Sequence, residues 1–290
     1  MLSKSYFFPF FISIGGYVFM VSMDTVIKVL GSSYPILQLL FLNALFSLIP
    51  LTYLIIKNHG FRFYKNQNYK FQIIRGFIHT LGFLFVLMGV LRLPLSVVYP
   101  VLFTSPLMLL MMSYFYLNEN INQIRVIAIF LGFFGILISA EPFGANQISL
   151  IGVLFVFIGA FCIALTNLLT RKYINLSSSF SAAFFSMVVS VIIFYISMKF
   201  IFIPMTFIDL LLSLFGGILA GLGISAIIYG SRMLPASIYG MTSFFQLIYG
   251  IILGLLIFQQ LPTFFNYIGI IFVMIAGILL FYFDRSKNES

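Results

Sequence analysis

Asp24 and Lys28 stand four residues apart inside a long apolar run, so on a helix they share one face. An ionised side chain at the centre of a bilayer costs roughly 2.5–3.5 kcal/mol on insertion scales. Two readings follow: a structural ion pair with Lys28 reaching for the outer interface, or a site facing a wet cavity that takes a solute's charge or a proton. Their counterparts further along the chain are Asn167 and Arg171. Arg171-Lys172 reads most simply as positive charge at the inner membrane surface, whereas Asn167 lies deeper and a buried amide needs hydrogen-bond partners from another helix or a ligand.

A second polar constellation recurs at helical spacing late in the chain: Tyr239, Thr242, Ser243, Gln246 and Tyr249. They give one polar face to an otherwise apolar helix, and Ser96, Tyr99, Phe103 and Pro106 form the corresponding set in the first half. Such faces hold a neighbouring helix or wall a pocket; their occurrence on related helices favours the pocket. His79 is a lone histidine, read as a satisfied buried residue or a proton relay, and Asn43 is open in the same way. Asp24, Lys28, His79, Tyr99, Asn167, Tyr239, Ser243 and Gln246 are the candidate solute contacts. No Ser-His-Asp set, phosphate-cradling glycine loop or flavin fingerprint occurs, and with two histidines and one cysteine the sequence calls for no metal, no cofactor and no enzyme activity. Cys162, within an apolar stretch, reads as packing.

These residues must be positioned by membrane-spanning helices. The chain is 62% hydrophobic and 7% charged, where soluble domains run near half apolar and about a quarter charged. The net charge of +9 is scattered singly through short loops, with no basic stripe for nucleic acid. At about 20 apolar residues per crossing, ten spans are expected at 9–30, 34–56, 73–91, 95–116, 124–141, 148–170, 178–200, 208–232, 235–258 and 263–283. The first is too long and too charged for a cleaved signal.

With both ends inside, Lys4, Lys57, Arg62, Lys65, Lys70, Arg75, Arg125, Arg171, Lys172, Arg232, Arg285 and Lys287 fall on the cytoplasmic side, against Arg92 and Lys199 outside. That asymmetry is the positive-inside pattern. The chain also matches itself at a nearly constant offset: Leu93-Pro94-Leu95-Ser96 recurs as Leu234-Pro235-Ala236-Ser237, Gly76, Gly82 and Gly89 as Gly217, Gly223 and Gly230, and Gly16 as Gly159. Five spans per repeat is an odd number, so the copies are inverted, a recurring construction of secondary transporters with the solute site near the midplane. The expected fold is an all-α integral membrane protein of ten transmembrane helices in two inverted five-helix repeats, residues 1–143 and 144–290, with both termini cytoplasmic. Glycines such as Gly250 and Gly254 serve close helix contact.

Asp24 and Lys28 late in the first span, Arg75-Gly76 opening the third and Leu117-Asn118-Glu119 closing the fourth together resemble the drug/metabolite transporter superfamily in its two-domain EamA form, over essentially the whole chain. The resemblance implies a secondary carrier of amino acids, nucleotides, sugars or related metabolites, among whose members are S-adenosylmethionine importers, with a central cavity lined by spans 1, 3, 4, 6, 8 and 9. The chain departs from the family pattern at Gln260, where an acidic residue closes the ninth span, and at Asn43, where many members carry arginine. The expectation is alternating access in a bacterial inner membrane for a small polar metabolite, an amino acid or related zwitterion or nucleoside-type solute, with the lipid bilayer and a coupling ion such as a proton as further partners. A non-transporting scaffold or lipid-handling protein is the rival reading.

Overall fold

A computed structural model describes residues 4–60, 63, 68–117, 123–139, 149–172, 179–234 and 242–288. Among them the chain is helical, with no strand: α1 (Lys4–Leu30), α2 (Ile36–His59), α3 (Tyr69–Val90), α4 (Leu95–Leu102), α5 (Thr104–Leu117), α6 (Gln123–Ser139), α7 (Leu150–Lys172), α8 (Ser179–Met198), α9 (Phe207–Met233), α10 (Phe244–Phe258) and α11 (Phe264–Asn288). Seven stretches among the described residues, one of them formed by α4 and α5 together, are long and apolar enough to cross a membrane; α6, α10 and α11 contain shorter apolar segments.

The helix ends follow local chemistry. Asn68 accepts a hydrogen bond from the Phe71 amide at 3.0 Å, so α3 starts in the polar turn ahead of its apolar run rather than at residue 73. Thr206 likewise caps α9, accepting from the Asp209 amide at 3.2 Å, and the Asp209 carboxylate sits at the positive end of that helix. The span expected at 95–116 is broken at Phe103. Pro106 has no N–H to give the Leu102 carbonyl, which interrupts the helical ladder; Thr104 bridges the gap by donating to the Val101 carbonyl at 2.6 Å.

Large apolar side chains point away from the bundle, with Phe115 70% and Phe130 71% exposed. Lipid accepts that surface, and backbone polar groups closed within helices are what allow the segments to lie in it. Inside, α1 packs on α9, α3 on α7 and α8, α2 on α8 and α9, and α6 on α11. Because apolar burial gives little drive for association in hydrocarbon, close backbone approach does more of the work. A Cβ on Gly16 would lie 2.9 Å from the Gly223 carbonyl oxygen, and one on Gly159 would lie 2.9 Å from the Val86 nitrogen and 3.1 Å from the Gly82 oxygen. Both seams therefore run main chain against main chain.

Arg75, counted from the sequence on the cytoplasmic side, is 9% exposed and bound between helices. Its Nε donates to Thr170 Oγ1 on α7 at 2.8 Å, and its Nη1 donates to the Ala182 carbonyl at 2.8 Å and Ser186 Oγ at 2.7 Å on α8.

Candidate functional site

The break at Phe103 shapes a cavity of about 180 Å³. Tyr17 of α1 forms one wall, Tyr99, Leu102, Phe103 and Ser105 another, Ile163 and Asn167 of α7 a third, and Ser243, Gln246 and Leu247 at the start of α10 the fourth. Hydroxyls and amides converge there from helices far apart in sequence, among aromatic and aliphatic faces. Apolar walls with a few convergent polar groups are the composition of small-molecule sites. Among the described residues no group of three or more His, Cys, Asp or Glu side chains is arranged to hold a metal ion.

Four of the expected site residues meet at this cavity: Tyr99, Asn167, Ser243 and Gln246. Asp24 stands behind the wall. It is 5% exposed, and its Oδ2 accepts a hydrogen bond from the Tyr99 hydroxyl at 3.0 Å. Lys28 lies a turn further along α1 and is turned elsewhere: its Nζ donates to the Leu93 carbonyl in the turn between α3 and α4 and lies 5.2 Å from the centre of the Phe258 ring. The ion pair weighed as one reading of Asp24 and Lys28 is thus not formed; each side chain answers to a different part of the bundle.

His79 is not at the cavity. It stacks on Phe83, with ring centres 6.3 Å apart, and its buried Nδ1 has no hydrogen-bond partner. Asn43 is also buried, with Oδ1 unpartnered, beside Gly216 of α9. Tyr239 lies outside the described residues. Of the polar face on the ninth span, Thr242 shares a hydrogen bond with Ser13 at 2.8 Å and Tyr249 contacts Ser22 at 3.3 Å, so part of the face binds α1 and part lines the cavity. Tyr17 and Ser105 were missed. Tyr17 had a signal, since it precedes Asp24 by two helical turns and falls on the same face.

Several long apolar helices around a cavity of mixed polar and apolar lining are compatible with a membrane carrier. The chain belongs to the EamA-like transporter family, whose model matches residues 8–140 and again 150–283. It is similar to the S-adenosylmethionine uptake transporters of Rickettsia conorii, 22% identical with 92% of this chain and 91% of the relative covered, and of Rickettsia felis, 23% identical over the same shares. A solved crystal structure covers 96% of this chain and 99% of its own with a TM-score of 0.67 at 14% identity, a likeness of fold. The chain is therefore a multi-pass membrane protein of a transporter family, not an enzyme.

Proposed function

We propose that the chain carries a small polar metabolite across a bacterial inner membrane by alternating access, with the cavity between α1, α4–α5, α7 and α10 as the solute site. The observation that carries this reading is the convergence of Tyr99, Asn167, Ser243 and Gln246 on one cavity. Asn167, Ser243 and Gln246 hold the solute's polar groups, and Tyr99 links it to Asp24, the group we assign to a coupling proton. The cavity volume, about 180 Å³, is below the roughly 300–1,000 Å³ of sites for drug-sized ligands. A solute as large as S-adenosylmethionine then enters only as the surrounding helices part, which is what alternation requires. The relatives' named solute combines an amino acid with a nucleoside, and it is the first to test.

The same reading makes residues 1–143 and 144–290 inverted five-span repeats with both termini cytoplasmic. Its support is that matched positions meet matched positions. Gly16 against Gly223 corresponds to Gly159 against Gly82; Gly230 against Ser13 corresponds to Gly89 against Val156; Gly217 against Phe46 corresponds to Gly76 against Val189. A reporter near Asn66 is expected in the cytoplasm and one near Ala145 outside; the same side for both would overturn the arrangement.

Proteoliposomes test the transport reading. Saturable uptake of labelled S-adenosylmethionine, driven further by an imposed proton gradient and cut at least tenfold by Asn167→Ala and Gln246→Ala, is the expected result. Absence of flux for it and for a panel of amino acids and nucleosides would return the chain to the scaffold reading.

A further inference from the structure

We propose that Arg75 is an anion subsite that takes the carboxylate of the transported solute, an inference that rests on the carrier reading above. The guanidinium is 9% exposed and spends its Nε and Nη1 on three neutral acceptors, Thr170, Ala182 and Ser186. Its Nη2 donates to none of the described residues, and none of the partners described for the guanidinium is a carboxylate. Asp24 is engaged elsewhere, with Tyr99, and so is Asp209, with Tyr34 and Thr206. A cation buried inside a membrane bundle calls for an anion, and the charge together with the two N–H groups of Nη2 remains to meet a carboxylate.

Three further observations join Arg75 to transport rather than to packing alone. Thr170, which fixes Nε, lies one helical turn along α7 from Asn167 at the cavity wall. His79, one turn along α3 from Arg75, presents a buried polar atom, Nδ1, without a hydrogen-bond partner. In the proposed repeat the position matching Arg75 is Gly216, packed against Val26 and Asn43. The helix contact made around Arg75 is thus made around Gly216 with no side chain at all. The charge is extra to the architecture, and a zwitterionic solute supplies the missing anion when the helices part.

Binding of S-adenosylmethionine and of its decarboxylated analogue to the purified full-length protein separates the possibilities. The wild type is expected to bind the carboxylated form at least tenfold more tightly. Arg75→Gln should erase that preference while leaving affinity for the decarboxylated form within about twofold, and Arg75→Lys should keep the preference at reduced size. The lysine variant retains the charge and reads the same ratio should the glutamine variant fail to fold. Equal weakening for both ligands in either folded variant, or an unchanged ratio in Arg75→Gln, would overturn the assignment. If the wild type binds neither ligand, the solute named above is wrong, and the ratio is read on methionine and its decarboxylated amine. A preference there that Arg75→Gln removes keeps the subsite; wild type blind to both pairs ends it.

Discussion

The seam of α1 on α9 and the seam of α3 on α7 solve one packing problem in the same way and differ in charge. Gly16 closes on Gly223 as Gly159 closes on Gly82. Beside the second seam Arg75 binds Thr170 and Ser186; beside the first, Gly216 lies against Val26 and Asn43. Main-chain contact is common to both, so it belongs to the fold, while the guanidinium is confined to one. Where two packed surfaces agree in shape and disagree in a buried charge, the charge is the place to look for function.

The comparison breaks most visibly at the glycines. Gly16→Val and Gly159→Val drive a branched side chain into main-chain atoms 2.9 Å from the added Cβ, which cannot swing aside. Each is expected to cost about 3 kcal/mol and to reduce recovery of monodisperse protein, whereas Gly15→Ala, with nothing within 4 Å, leaves thermal unfolding unchanged. Tolerance of one valine but not the other would mean that the seams are not equivalent.

Next in size are the polar groups of α1. Asp24→Asn and Lys28→Met are each expected to insert, fold and lose at least tenfold of their solute flux, and the double variant should stay inactive although its charge balance is restored. Since the two side chains have separate partners, their effects on stability should add to within about 0.5 kcal/mol. Near-normal flux in both single variants, or recovery in the double, would make this face structural. Tyr99→Phe sharpens the point by removing the donor that Asp24 accepts. The orphaned oxygen costs about 1–3 kcal/mol, and flux should fall several-fold in protein that still folds.

The smallest effect tests the difference between the seams directly. In the proposed repeat Asn43 and Ser186 fall at matched positions, one with an unpartnered Oδ1 and one accepting from Arg75 at 2.7 Å. Ser186→Ala should lower stability by about 1–2 kcal/mol and Asn43→Leu should leave it unchanged or raise it by less than about 1 kcal/mol, both read from thermal unfolding. Equal losses would place comparable polar work on both sides.

Much of this was legible in the sequence. Apolar runs marked helices α2, α8 and α9 to within a few residues, because length and hydropathy alone decide what lies in lipid. The glycine spacing announced close contacts, and the polar faces of the fourth and ninth spans led to Tyr99, Ser243 and Gln246. The break at Phe103 was written in Pro106 and passed over. What could not be read were the partners. Tyr99 meets Asp24 across 75 positions, and Lys28 binds a main-chain carbonyl, an acceptor every residue carries and none advertises. The partners of Arg75 were hidden for a related reason: a basic residue near a helix start looks the same in sequence whether it faces water or a neighbouring helix.

The chain contains one cysteine, and it stands in the second seam, its Cβ 2.9 Å from where a side chain on Gly82 would begin. The unaltered protein therefore carries a clock for its own motion. Half-buried while the seam is closed, Cys162 is consumed by a small alkylating reagent at a base rate that rises as α3 and α7 separate, and a solute that locks the seam returns the rate to that base without any label having been introduced.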